Sequence, residues 1–371
     1  MKRADKHLRY SSANRRPQLD EARYGSLVKL LILLGSVGVI VLAAILVSGP
    51  LLRSLPHRKE ASIPEKPVEP ASWSNEIRTL PNDGWIGELS EWSGTLLYST
   101  GASADSLSRL IRLNLESGEN ESVSVPVING SIRCPYENND WILYGDYASD
   151  GSGCIRIIEK KDGSGSVLFS FQEGAPLLFC SFPYVVFTAR TAPETYTLTI
   201  LDVRNGNSVA AACFSGPEYG ASSPSIRNNQ IVYSNIDADH PDQSILHWIS
   251  LSDGFRSETV PKLFLHDPIL TDNGVLALSG LHSSDSILYR IDFNGTCEPI
   301  ARSVVRYAAS SDTPVFSANG SIFCIESESK RTVALSEAGA FCELLGATDS
   351  AVIWVDRSQA DHPAFCFLIL H

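Results

Sequence analysis

Two stretches of the sequence carry the same tetrapeptide, Ala-Asp-His-Pro, at 238–241 and 360–363. The first lies in "NIDADHPDQS", which brings Asp237, Asp239 and Asp242 close together in the chain. Hard cations take several carboxylate oxygens, so these three residues are a candidate calcium site. No EF-hand glycine or distal glutamate follows them, and Asp, His and Pro together are also ordinary turn chemistry. Both readings stand at this point. Covalent chemistry has less to work with. There is no Gly-x-Ser-x-Gly elbow and no His-Glu-x-x-His helix. His240, His247, His266, His282 and His362 are scattered, and His247, beside Trp248, reads as a packed strand residue. The eight cysteines contain no Cys-x-x-Cys pair, which argues against a zinc site. Cys180 in "LLFCSF" and Cys366 in "AFCFLIL" typify their apolar settings, so most are expected to be buried thiols, with room for one or two bridges. No cofactor is expected.

Whatever these residues do, a chain of distinct segments must position them. Residues 1–29 hold eight Lys/Arg against three acids, a surplus of five positive charges, so the rest carries −17 of the total −12. An acidic remainder excludes nucleic acid as the natural partner, since phosphates demand Lys/Arg. Leu30 to Leu52 is free of charge over 23 residues, enough to span a hydrocarbon core of about 30 Å as a helix. The run is too long for a signal-peptide core, and "SGPLLRSLPHRK" offers no small-residue cleavage site. The expectation is a retained single-pass anchor at 30–52, with the basic tail 1–29 cytoplasmic and the bulk of the chain extracytoplasmic. Residues 53–73, with Pro56, Pro64, Pro67 and Pro70, read as a semi-rigid linker.

From residue 74 to 371 the signals are those of strands. Two apolar residues and then usually an aromatic recur as "LLY" ending at Tyr98, "ILY" at Tyr144, "VVF" at Phe187 and "IVY" at Tyr233. The series continues with "VLA" at Ala277, "PVF" at Phe316 and "VIW" at Trp354. The steps are 46, 43, 46, 44, 39 and 38 residues, the period of a propeller blade. After each copy comes a second strand pattern closed by a glycine turn, as in "LIRLNLESG" to Gly118, "LTILDVRNG" to Gly206 and "LHWISLSDG" to Gly254. The Asn-x-Ser/Thr matches at Asn120, Asn129, Asn294 and Asn319 mostly coincide with Asn-Gly turns and are read as turns. The unit is therefore four antiparallel strands, and the fold class is all-β: a β-propeller, most simply seven-bladed, with six and eight as alternatives. The last unit, "FCFLILH", stops after its third strand, while "NEIRTL" at 75–80 is a spare strand ahead of the first unit. Pairing the two would close the ring and leave no open edge.

The turns at Asp272-Asn273-Gly274 and Asn228-Asn229-Gln230, each followed by an apolar-apolar strand, resemble the TolB-type family of bacterial propellers over residues 74–371. That resemblance implies the propeller fold and a role in binding or assembly at the cell envelope.

In a propeller the second-to-third-strand loops share one face with the links between blades. That face would carry Asp105, Asp146, Asp150, Glu194, Asp237, Asp239, Asp242, Asp285, Asp356 and Asp361. Asp146, Asp150, Asp237, Asp239, Asp285, Asp356 and Asp361 are the candidate partner-binding residues, an acidic rim for a basic segment of an envelope protein; a merely solvated loop face is the alternative. The functional expectation is a membrane-anchored binding or scaffold module. An enzyme with a site in the central channel, and an envelope sensor acting through its basic tail, are the alternatives.

Overall fold

The computed structural model describes residues 77–80, 84–193, 195–215, 222–280, 286–326, 329–337, 341–358 and 363–370. The tail, the apolar run 30–52 and the linker lie outside the described residues. Among the described residues no helix is long and apolar enough to cross a membrane.

The described residues form 28 strands in seven four-stranded antiparallel sheets. A short strand, β1 (Arg78–Thr79), comes first. Blade 1 follows as β2 (Trp85–Trp92), β3 (Thr95–Gly101), β4 (Arg109–Asn114) and β5 (Asn120–Val123). Blade 2 is β6 (Ser131–Glu137), β7 (Trp141–Tyr147), β8 (Gly153–Glu159) and β9 (Gly165–Phe171). Blade 3 is β10 (Phe179–Ser181), β11 (Tyr184–Ala192), β12 (Thr195–Asp202) and β13 (Asn207–Ser215). Blade 4 is β14 (Ser225–Arg227), β15 (Gln230–Ile236), β16 (Ser244–Ser250) and β17 (Arg256–Thr259). Blade 5 is β18 (Leu265–Thr271), β19 (Gly274–Ser279), β20 (Ile287–Ile291) and β21 (Cys297–Arg302). Blade 6 is β22 (Val304–Ser310), β23 (Thr313–Ala318), β24 (Ser321–Ile325) and β25 (Thr332–Ala334). Blade 7 is β26 (Cys342–Ala347), β27 (Ala351–Asp356) and β28 (Ala364–Ile369), and its fourth strand is β1.

The recurring apolar triplet is the second strand of every blade, and its chemistry follows from position. A second strand is buried on both faces, so it reads as an unbroken apolar run rather than an alternation. Side chains still alternate in direction. The third residue of each triplet (Tyr98, Tyr144, Phe187, Tyr233, Ala277, Phe316, Trp354) packs into the interface with the preceding blade. The middle one (Leu97, Leu143, Val186, Val232, Leu276, Val315, Ile353) packs against the following blade. The core is accordingly seven separate clusters, one at each interface. Each fully buried Leu, Val or Phe contributes about 1.5–3 kcal/mol, so stability is spread round the ring.

Closure is made by the spare N-terminal strand. Arg78 pairs with Phe367 and Thr79 with Cys366, and Leu80 N–H donates to the Phe365 carbonyl at 2.7 Å. The strand is shorter than the six residues expected from the sequence. Alternation explains how so few residues suffice. Ile77 faces the interface with blade 6, while Leu80 is buried among Leu96, Tyr98 and Phe367 at the interface with blade 1. Arg78 Nη1 also donates to the Leu115 carbonyl of blade 1 at 2.9 Å.

Candidate functional site

The first strands of successive blades touch one another: β2 meets β6 and β26, β14 meets β10 and β18, and β22 meets β18 and β26. They form the wall of the channel. Five of them bulge. Each carries one extra residue: in β2 (Gly87, Glu88), β6 (Cys134, Pro135) and β18 (Asp267, Pro268) two residues face one of the second strand, and in β22 (Val305) and β26 (Leu345) one residue is left without a partner in the ladder. Bulges re-aim side chains, and here they gather the channel's charged groups. Glu88 takes Arg133 in a forked pair, with Arg133 Nε at 2.8 and 2.9 Å from the two carboxylate oxygens and Nη2 at 2.5 Å. The same carboxylate accepts the Cys134 N–H at 3.3 Å. Cys134, at φ 47°, is buried beside them. Burial pushes its thiol up to about 12, against the pull of Arg133 and a Leu178 N–H bond.

Across the ring, His266 and Asp267 form the second charged group. His266 Nδ1 lies 2.9 Å from the Asp267 carboxylate and Nε2 2.9 Å from the Gly280 carbonyl. Both neighbours accept, so both nitrogens must donate, which describes an imidazolium. Burial opposes that charge, but the bonds to Asp267 and Gly280 outweigh it and raise the histidine's pKa. Burial likewise opposes ionisation of Asp267, and His266 with the Ser223 N–H outweighs it, lowering that pKa. The Tyr307 hydroxyl donates to the Asp267 carbonyl, tying blade 6 to this bulge.

The two ends of the channel differ. At the end formed by first-to-second-strand turns, polar groups reach from blade to blade. Arg227 of blade 4 meets Asp272 of blade 5 at 2.9 Å and Asp349 of blade 7 at 3.1 Å. Asn273 N–H donates to Asp312 at 3.1 Å, Ser310 Oγ to the Asp349 carbonyl at 3.1 Å and Ser350 Oγ to Glu91 at 2.6 Å. At the opposite end, where the links between blades run, exposed apolar side chains recur instead. Trp85, Ile128, Leu177, Val260, Val305 and Phe341 are 40–73% exposed, one at or beside each of six links. Residues 216–221 of the seventh link lie outside the described residues. Among them Glu343 holds Arg306 at 3.3 Å and Arg357 at 3.1 Å, and the Arg357 guanidinium lies 5.6 Å from the Trp85 ring centre.

The sequence-derived site residues fall unevenly on this plan. Asp150, Asp237, Asp239, Asp242 and Asp356 lie in second-to-third-strand loops or at their edges, on the link face. Asp285, Asp361 and Glu194 are outside the described residues. Asp146 is not rim surface: it is fully buried, paired with Arg156 Nε at 2.8 Å. Its carboxylate also accepts the N–H groups of Ile128 and Asn129 at 3.0 and 2.9 Å, so it fixes the link between blades 1 and 2. Several others serve their own loops. Asp150 accepts from Ser152 and Asp356 from Ser358, each through backbone N–H and hydroxyl. Asp237 accepts the Asp239 N–H at 3.0 Å and stands 3.1 Å from His240 Nδ1; the first of these contributes most to its lowered pKa. Among the described residues no three of His, Cys, Asp and Glu converge on a point that would hold a metal, so Asp237, Asp239 and Asp242 do not assemble into one cage. His247 is packed, stacked on Tyr233 at 4.6 Å. Cys134, Cys154, Cys324 and Cys342 are buried free thiols.

The bulges at Glu88 and Asp267 and the apolar links escaped sequence reasoning. The one available signal was the Cys-Pro and Asp-Pro pairs interrupting strand runs at 134–135 and 267–268, where proline marks a break in a ladder.

No protein-family model matches this chain, and no curated protein does. Solved structures do match in fold. The β-propeller domain of the Trilobed protease from Pyrococcus furiosus, described as having an open velcro topology, gives a TM-score of 0.59 at 10% identity, covering 76% of this chain and 92% of that one. Oligogalacturonate lyase from Vibrio parahaemolyticus gives 0.55 at 11% identity, covering 80% and 92%. An oligogalacturonate lyase in complex with manganese gives 0.54 at 10% identity, covering 80% and 91%. At these identities the likeness establishes a seven-bladed propeller fold and nothing finer.

Proposed function

We propose that this chain is a membrane-anchored, extracytoplasmic binding module whose link face docks a partner protein. One observation carries the reading: six links each present an exposed apolar side chain at the same end of the ring. Scattered exposed apolar residues need no explanation, but a set repeated on one face marks an interaction surface. The surrounding loops supply Asp105, Asp150, Asp239 and Asp242, all exposed. The partner's chemistry follows as apolar anchors flanked by Lys or Arg, with the acids steering encounter and the apolar ring supplying affinity. The TolB-like turn motifs and the apolar run 30–52 fit this placement at an envelope. The test is capture of the partner by the full chain at rising salt. Asp237, Asp239 and Asp242 changed together to Ala should remove the salt dependence, and Phe341→Ser should weaken capture at every salt concentration. Unchanged capture in both variants would refute the reading.

A second reading is favoured by the fold likeness to a lyase: an enzyme acting in the channel through Arg133, Glu88, His266 and Asp267. It ranks lower because these groups are engaged with one another. Incubating the full chain with oligogalacturonate and Mn²⁺ and following formation of an unsaturated product distinguishes the two. Product that disappears in Arg133→Ala would favour the enzyme.

A further inference from the structure

The chain holds five Asn-Gly pairs, beginning at Asn129, Asn205, Asn273, Asn294 and Asn319. Asparagine is chemically labile, and before glycine it is most so, because no Cβ shields the next backbone nitrogen. That nitrogen attacks the side-chain amide carbon. The N–Cγ bond forms as the Cγ–Nδ2 bond breaks, the amide nitrogen leaves as ammonia with the glycine N–H proton, and a succinimide remains. Water then opens the ring at either carbonyl to give aspartate or isoaspartate; nothing is oxidised or reduced. The reaction needs an amide free to turn and an N–H free to lose its proton.

Four of the pairs are tied down. Asn129 Nδ2 donates to the Asp146 carbonyl at 3.0 Å. Asn205 Oδ1 accepts the Asn207 N–H at 2.8 Å, and the Gly206 N–H donates to the Asp202 carbonyl at 2.9 Å. Asn273 Nδ2 donates to the Asp312 carboxylate. The Gly295 N–H, next to Asn294, donates to the Asp292 carbonyl at 2.9 Å. Asn319 differs. It is exposed, at φ 50°, and among the described residues neither its side-chain amide nor the Gly320 N–H has a hydrogen-bond partner. Asn319 and Gly320 form the second-to-third-strand turn of blade 6, on the link face. The Gly320 carbonyl accepts the Cys342 N–H at 2.8 Å, which sets this turn beside Phe341. In the other six blades the sequence places an acid between the second and third strands: Asp105, Asp150, Glu194, Asp237, Asp285 and Asp361. Blade 6 has only Asn319 and Gly320 there.

We propose that Asn319 is a site of spontaneous modification, and that its conversion to a carboxylate gives blade 6 the acid that every other blade carries in that loop. The modification stands on the local geometry alone, while its effect on docking rests on the link-face reading. A negative charge arising beside Phe341 adds to the attraction for a Lys- or Arg-flanked apolar segment. Affinity for such a partner therefore rises as the chain ages.

The test incubates the full chain at mildly alkaline pH, below its melting temperature. Mass spectrometry of the Asn-Gly peptides then reads the exchange of amide for acid and the ratio of aspartate to isoaspartate. Asn319 should convert about tenfold faster than any of the other four, the rate equivalent of one hydrogen bond that need not be broken. Both products should form, and Asn319→Gln, which cannot close the succinimide ring, should show neither at that position. A second arm measures a fluorescein-labelled Leu-Lys repeat peptide by polarisation. Asn319→Asp should bind it about two- to fivefold more tightly than wild type at low salt and equally at high salt. Conversion at Asn319 no faster than at the tied pairs would overturn the proposal, and so would a wild type that binds the peptide as tightly as Asn319→Asp at low salt. Rapid conversion at Asn319 with no peptide bound by either form would sink the docking reading and leave the modification site established.

Discussion

At the turn end of the channel, Arg227 spans from blade 4 to Asp349 of blade 7 and Asp272 of blade 5. At the link end, Ile128, Val305 and Phe341 stand 65–73% exposed. The same repeat builds both ends, and the difference lies in what the short turns and the longer links can reach. A two- or three-residue turn puts its Asp or Asn over the channel, close enough to meet the next blade. A link crosses from an outer strand to the next inner strand at the surface, and an apolar residue at or beside it is left exposed. One end thus satisfies its polar groups internally, while the other leaves apolar surface for something else to cover. The turn face also leaves some apolar side chains exposed: Trp92, Phe255 and Phe293 are 40–63% exposed there.

The contrast is broken most severely at the link face. Val305→Asp with Phe341→Asp should cut partner affinity by about 100-fold or more, since central apolar anchors are each worth about 2 kcal/mol or more. The melting temperature should hold, because exposed substitutions usually stay within about 0.5 kcal/mol. A fall in both would assign these residues to folding instead. Leu80→Ala should act the other way, destabilising by about 2–5 kcal/mol through the closure cluster while leaving affinity intact wherever the protein remains folded; denaturant unfolding and capture measured on one sample decide it.

Smaller effects sharpen the comparison. The His266 pKa is raised, so its contribution is full below the unfolded value of about 6.5 and fades as pH rises through the folded one. Asp267 is lowered, so its contribution is present above about 3.9 and fades as pH falls through its folded value. A thermal stability profile should therefore decline on the alkaline side, and His266→Gln should remove that decline. A decline that survives the substitution would place its origin elsewhere. Arg227→Ala should cost little, under about 1 kcal/mol, because its carboxylate partners are exposed and screened by salt. Its effect should vanish in high salt, and partner capture should not change. The smallest effect is chemical. Exposed Cys213 should react with iodoacetamide before buried Cys134, whose thiol is raised to about 12; mass spectrometry of timed samples would show the order.

Much of the fold was legible because a second strand is buried on both sides. That constraint writes a contiguous triplet into the chain seven times, with alternate residues serving alternate interfaces. Ring closure was legible for a related reason: an unpaired β28 edge demanded a partner, and 75–80 was the strand left over. The site was not legible. Ile128 in "PVING" and Phe341 in "GAFCE" look like isolated apolar residues in loops, and only the ring reveals that they recur at equivalent places. The acids misled in the opposite direction. Asp146 in "YGDY" reads as loop surface, but β7 runs on through Tyr147 and carries it inside, where Arg156 and the link N–H groups use it. The bulges at Glu88 and Asp267 depend on inner-strand register, which one chain read alone does not encode in its apolar pattern.

The most direct measurement places a photo-crosslinking side chain at Phe341 on the link face and, in a separate sample, at Asp312 on the braced turn face, in the full chain in whole cells. The account predicts a discrete adduct from Phe341 that basic peptide or high salt suppresses, and none from Asp312. Equal adducts from both positions, or an adduct from Asp312 alone, would contradict it.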